Sequence, residues 1–181
     1  MNFFFKFFTL GDKLKKSSTG SVLFVFLLVL FFGSMSSFVH ADIFINEFLA
    51  NGIIEPDSEW IELYNNGSSS VDLANYNITE FGASANVTLN GTIPANGFVI
   101  LAENFTLFNS TYPDVNISGI RIIDYGTAVA SFQLHDTAGN ITLYNSSGSK
   151  VNNVSYSSTS ENVSEGRFPD GNESFSTFTA P

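Results

Sequence analysis

The stretch "ANVTLNGTI" (residues 85–93) decides the fold class. Its apolar Val87 and Leu89 alternate with the polar Asn86, Thr88 and Asn90. Successive side chains of an extended chain point to opposite faces, so a period of two describes a strand with one buried face. The same writing runs outward in both directions. Upstream lie "DIFINEFLA" (42–50), "EWIELYN" (59–65) and "VDLANYNITEF" (71–81), whose apolar residues include Val71, Leu73 and Ile78. Downstream, "FVILAEN" (98–104) is a continuous apolar run that suits a strand buried on both faces. "ISGIRIID" (117–124) then leads to "ASFQLHDTAGNITLYNSSGSKVNNVSYSS" (130–158), where "TAGN" and "NSSGS" have the composition of hairpin turns. "FTLFNSTYPD" (105–114) is the one plausible helical turn, ended by Pro113. About eight or nine short strands with almost no helix predict an all-β protein, a β-sandwich.

The N-terminus reads as a targeting segment. Lys6, Lys13, Lys15 and Lys16 precede an uncharged run, "VLFVFLLVLFF" (Val22 to Phe32), and Val39 and Ala41 occupy the minus-three and minus-one positions of a cleavage site. This is the three-part plan of a secretory signal peptide, a helix over residues 1–41 removed before Asp42. The competing reading is an uncleaved membrane anchor, for which the apolar run is short, since a bilayer core needs about 20 residues. Cleavage leaves one domain, residues 42–181, with no cysteine. A secreted domain without disulfides differs from small stapled animal scaffolds and suggests a prokaryotic exterior. Only Arg121, Lys150 and Arg167 then face sixteen carboxylates, a net charge of −13. That balance excludes the basic footprint of a nucleic-acid binder and favours solubility. The membrane is a partner only through the signal segment if it stays uncleaved.

Twelve of the eighteen asparagines after residue 41 open an N-x-S/T triplet: Asn66, Asn77, Asn86, Asn90, Asn104, Asn109, Asn116, Asn140, Asn145, Asn153, Asn162 and Asn172. Random placement of the serines and threonines gives about four. Two accounts compete. Strand alternation writes Asn-apolar-Thr by itself, and seven triplets have an apolar middle residue. Asparagine is a poor strand former, however, and alternation does not explain "NGS", "NST", "NSS" or "NES". With a signal peptide, the surplus favours glycan acceptors, above all in turns such as those at Asn66, Asn145 and Asn172.

Catalytic chemistry finds little foothold. His135 is the one histidine after residue 41, it lies in a polar turn, and no G-x-S-x-G elbow accompanies it. Glu55, Asp57, Glu59 and Glu62 in "EPDSEWIE" offer oxygen ligands for calcium near Asp57, without the spacing of a calcium loop; a solvated loop entering a strand is the plainer account. Arg167 in "GRFPDG" reads as a structural pin beside a turn. No catalytic residue, metal site or cofactor is expected.

Several blocks, in this order, resemble the lamin-tail domain: "IFINEFLANG", a short acidic loop, "EWIELYNNGSSSVDLANYNIT", "GTIPANGFVILAEN", "FQLHDTAGNITLYNSSGSKVNNVSYSS" and "SEGRFPDGNESF". The resemblance covers residues 42–181 and implies an immunoglobulin-like sandwich, a domain that in prokaryotes accompanies secreted and surface proteins, often beside hydrolases. It supplies no catalytic residues, and without a filament coiled coil a nuclear-lamina role does not transfer. The expected function is a secreted or cell-surface, N-glycosylated, non-enzymatic module contacting an extracellular protein or surface polymer. The alternative is an accessory, carbohydrate-binding domain of a larger secreted hydrolase. Strict alternation puts Ile43, Ile45 and Leu49 on one face of the first strand and Phe44 and Phe48 on the other. With Trp60 and Tyr64, these last form a candidate aromatic contact patch around Glu62, unless the tail covers it through Phe175 and Phe178.

Overall fold

Most runs read above as strands are strands, but shorter and more numerous; "FQLHD" (132–136) is the exception and pairs in no sheet. The computed structural model describes residues 43–81, 86–113, 115, 121–125 and 132–179. The chain divides into two units, Met1–Phe38 and Val39–Pro181. The signal segment, its cleavage site and Asn116 lie outside the described residues. Along the second unit come β1 (Ile43–Leu49), β2 (Trp60–Asn65), β3 (Val71–Asp72), β4 (Asn77–Glu80), β5 (Asn86–Thr88), β6 (Thr92–Ile93) and β7 (Phe98–Ala102). Helix α1 (Phe105–Thr111) follows, then β8 (Arg121–Asp124), β9 (Ala138–Tyr144), β10 (Lys150–Ser157), β11 (Ser164–Arg167) and β12 (Phe175–Phe178).

Local chemistry explains the extra breaks. "VDLANYNITEF" splits into β3 and β4 where Asp72 Oδ1 accepts from the Ala74 N–H and Asn75 adopts φ 63°. "ANVTLNGTI" splits into β5 and β6 at Gly91, whose φ of 95° is open to glycine but costly for other residues. "NSSGS" is the β9–β10 hairpin turn, with Asn145 Oδ1 accepting from the N–H groups of Ser147 and Ser149 at 3.0 and 2.9 Å. "TAGN" is not a turn: Ala138, Gly139 and Asn140 already belong to β9. Asn104 caps α1, its Oδ1 accepting from the Leu107 N–H at 3.0 Å.

Two main sheets result, one six-stranded in the order β12-β11-β1-β2-β7-β8 and one four-stranded in the order β10-β9-β4-β5; β3 and β6 form a small third ladder. All pairs are antiparallel except β7–β8. That parallel pair demands a crossover, and α1 lies within it. Ile45, Phe48, Ile61, Leu63, Val99 and Leu101 from the larger sheet meet Ile78, Val87, Ile141, Leu143 and Val154 from the smaller in one core. Each such side chain, fully buried, contributes about 1.5–3 kcal/mol.

A β-bulge at Asn46 corrects the expected faces of β1. Ile45 pairs with Leu63, but Glu47 pairs with Glu62, so Asn46 is an extra residue and the alternation reverses beyond it. Phe48 therefore enters the core, 0% exposed, and Leu49 turns to the outer face. The groups of Ile45 at the bulge find partners in side chains. Its N–H donates to Asn152 Oδ1 at 3.1 Å, and its carbonyl accepts from Arg167 Nε at 2.8 Å. Arg167 is thus a pin, though it holds the carbonyls of Ile45 and Asn172 rather than a carboxylate, and its guanidinium lies over the rings of Phe44 and Phe175.

Candidate functional site

The two sheets present very different outer faces. On the larger one, Trp60, Glu62 and Tyr64 of β2 point outward beside Phe44, Glu47 and Leu49 of β1 and Phe98, Ile100 and Ala102 of β7. Helix α1 roofs one end of this face. Phe108 packs in a cluster with Leu49, Trp60, Ile100 and Ala102, and Tyr112 joins it from the end of the helix. The turn after β11 covers the other end. Gly171, at φ 72°, sits so close that an added Cβ would stand 3.3 Å from the Tyr64 ring and 3.5 Å from that of Phe44. Beneath this turn, Asn46 Nδ2 donates to Glu62 Oε1 and Asp170 Oδ1, while its Oδ1 accepts from the Gly171 N–H.

The four aromatics expected as a contact patch therefore do not form one surface. Phe48 is core, Trp60 is 2% exposed under α1, and Phe44 and Tyr64 are half-buried under the Gly171 turn. Phe175 packs on Phe48 rather than over the patch. Burial chiefly, with Glu47 and Asp170 nearby, raises the Glu62 carboxyl to about 7 despite the hydrogen bond from Asn46.

The smaller sheet has no roof among the described residues, and no carboxylate on its outer face. Outward positions are Asn86 and Thr88 on β5, Asn77 and Thr79 on β4, Ala138, Asn140, Thr142 and Tyr144 on β9, and Asn153, Ser155 and Ser157 on β10. Lys150 at the margin is the only charge. Hydroxyls and amides bridge the strands: Thr88 Oγ1 donates to Asn77 Oδ1 at 2.8 Å, and Asn140 Nδ2 to Ser155 Oγ at 2.6 Å. Here the alternation account of the triplets is visible in the structure. Asn77, Asn86, Asn140 and Asn153 and their hydroxyl partners face outward, while Ile78, Val87, Ile141 and Val154 fill the core.

The remaining sequon asparagines are scattered. Asn66, Asn90, Asn109 and Asn172 are exposed; Asn104 is the α1 cap, Asn145 organises its turn, and Asn162 is half-buried with φ 56°. The six asparagines outside sequons all serve the fold. Asn46, Asn51, Asn65 and Asn152 tie segments distant in sequence, and Asn75 and Asn96 adopt left-handed φ. No local signal in the sequence separates the two groups except the triplet itself.

At one end of the sandwich lies a cleft of about 390 Å³ lined by Glu55, Pro56, Glu59, Gln133, Leu134, His135, Asp136 and Thr137. Glu59 Oε2 accepts from the Leu134 N–H at 2.8 Å, yet burial outweighs this bond and raises its carboxyl to about 9. Burial likewise raises Glu103 to about 7, helped by Asp57 and Asp124. It raises Glu80 as well, where the nearby His135 pulls the other way. His135 Nδ1 lies 2.9 Å from Glu80 Oε2, so this histidine is anchored on its ring side and exposed on the other. The four acids of "EPDSEWIE" do not all converge: Glu55 and Glu59 share a hydrogen bond at the cleft, while Glu62 turns toward Asn46 on the outer face. Among the described residues no group of three or more metal-ligating side chains is poised to hold an ion. Nor is any described helix long and apolar enough to cross a membrane. Ile53 and Ile54, 63% and 51% exposed, stand in the loop before the cleft.

Two sheets closing on one core, joined mainly by antiparallel strands, define an immunoglobulin-like β-sandwich. The family model described as the Lamin Tail Domain matches residues 36–158, and the chain belongs to that family, whose domains are non-catalytic. The match ends before β11 and β12, although β11 pairs with β1 inside the six-stranded sheet. No curated protein matches the chain.

Proposed function

We propose that this chain is an exported, N-glycosylated, non-enzymatic module that contacts a protein or surface polymer outside the cell. The outer face of the four-stranded sheet carries the reading. In a chain dominated by carboxylates this face has none, and four acceptor triplets stand on it, with the asparagine and hydroxyl of the Asn86 and Asn153 triplets exposed. A sugar coat needs that combination: an accessible amide, a hydroxyl two residues on, and no charge to bury. The surface left for contact includes the cleft end, where exposed Ile53 and Ile54 precede the cleft residue Glu55. Protein purified from its native host is expected to begin at Asp42 and to exceed its polypeptide mass by whole glycans. A mature protein starting at Met1, or one with the bare polypeptide mass, refutes the reading. An I53S/I54S variant is expected to lose attachment to the cell surface while keeping its glycans and thermal stability.

A further inference from the structure

The four sequons on the open face are not equivalent, because the sheet order places two on edge strands and two on central ones. Among the described residues, Asn86 lies on β5 and Asn153 on β10, at opposite edges of the order β10-β9-β4-β5. Both are exposed, and each has one cross-strand neighbour on this face, Thr79 for Asn86 and Thr142 for Asn153. Because Thr79 also pairs with Thr142, the four residues make one row from edge to edge. The two asparagines end that row about 14 Å apart, three strand spacings. Asn77 and Asn140 are half-buried on β4 and β9, and their Nδ2 atoms are engaged, donating to Asn75 O at 3.1 Å and Ser155 Oγ at 2.6 Å.

We propose that Asn86 and Asn153 carry glycans while Asn77 and Asn140 do not, and that the two glycans guard the open edges of the four-stranded sheet. This rests on the export and glycosylation reading above. The modification takes a lipid-phosphate-linked oligosaccharide as donor. A bond forms between Nδ2 and the anomeric carbon, the carbon–oxygen bond to phosphate breaks, and one Nδ2 proton leaves with the released lipid phosphate. That nitrogen must therefore be reachable and free to turn toward the donor, which favours the exposed edge asparagines over the half-buried central ones whose amides are held by hydrogen bonds.

The edges need a guard. An edge strand exposes unpaired N–H and C=O groups that template pairing with another chain, and proteins commonly blunt it with charge, proline or a bulge. β5 reads Asn86-Val87-Thr88, with none of these. On β10 the irregularity between Lys150 and Asn152 protects only the beginning, and Asn153–Ser157 runs on uncharged in regular register. A glycan rooted at each position sweeps over the neighbouring edge and prevents a second strand from docking.

The test uses the full chain made in its native host, with intact mass and light scattering as readouts. N86Q and N153Q are each expected to lose one glycan mass. The double variant N86Q/N153Q is expected to shift from monomer toward dimer or larger species as concentration rises. N77Q/N140Q is expected to keep its glycan mass and remain monomeric. N86K/N153K, which lacks both sugars but restores charge at the edges, is expected to be monomeric again; a merely destabilised fold would not be rescued this way. Glycans lost from N77Q/N140Q, or a double variant that stays monomeric, overturns the proposal. Wild-type protein with glycans only at other asparagines refutes this inference and leaves the glycosylation reading standing, whereas wild-type protein with none refutes both.

Discussion

The outer faces of the two sheets, built from strands of similar length in one chain, have opposite fates. The six-stranded sheet turns aromatic rings and a carboxyl outward and then covers them, with α1 over Trp60 and the Gly171 turn over Tyr64, Phe44 and Glu62. The four-stranded sheet turns amides and hydroxyls outward and leaves them bare among the described residues. The difference follows from what each side chain costs in water. An outward Trp60 or Leu49 demands a partner surface, and the chain spends α1 and a long turn on providing it. Threonine and asparagine satisfy themselves with solvent and each other, so no segment is recruited to cover them.

The largest expected effect separates the sides by pH. Glu59, Glu62 and Glu103 lie on or just beyond strands of the larger sheet, while on the smaller sheet Glu80 is raised by burial against the opposing pull of His135. Their folded-state values are raised, so between about pH 4.5 and those values the folded chain holds protons that the unfolded chain releases. Stability is therefore greatest near pH 5 and falls as pH rises. The losses at Glu62 and Glu103 are complete above about 7, and that at Glu59 above about 9. A loss on the order of 5 kcal/mol between pH 5 and 9 is expected from urea denaturation across that range. E59Q should flatten about half of it; a pH-independent wild type would show that these carboxyls are not buried as described.

Next in size is the roof itself. Trp60→Ala removes the ring against which Phe108 and Tyr112 pack and is expected to cost about 3–5 kcal/mol by chemical denaturation. A cost below 1 kcal/mol would make α1 an idle cover and erase the contrast between the faces. Asn46→Ala strips Glu62, Asp170 and the Gly171 N–H of one shared partner, for an expected loss of about 1–3 kcal/mol. The smallest effect belongs to the bare side. Thr79→Val, which keeps the shape and strand preference of the residue, is expected to change stability by no more than about 0.5 kcal/mol. A larger loss would mean that the open face carries structural weight like its counterpart.

What the sequence disclosed follows the range of the interactions involved. Period-two alternation is local, so the strands, the sandwich and the inward Val87 and Ile141 could be read directly. The helical turn ending at Pro113 was also local, but its covering of Trp60 depends on the β7–β8 crossover and could not be. The bulge escaped because one extra residue, Asn46, looks like an ordinary polar position in "IFINEFL"; the only trace is that two polar residues in succession separate Ile45 from Phe48. The cleft depends on Glu59 meeting Leu134, 75 positions away, for which no pattern in either segment prepares. "TAGN" had the composition of a turn and became the start of β9, because pairing with β10 outweighs a weak local preference.

The position of β1 inside its sheet sets the order in which the molecule can be completed. Its neighbours are β2, next in the chain, and β11, where Glu47 faces Gly166 across roughly 120 residues of intervening sequence. β1 therefore keeps one side unpaired during synthesis until β11 has been made. Closing so long a loop is entropically slow, and sheets built on distant pairings fold over milliseconds to seconds rather than microseconds. Residues 159–179, beyond the family match, thus act as a clasp that completes the six-stranded sheet on the free side of β1.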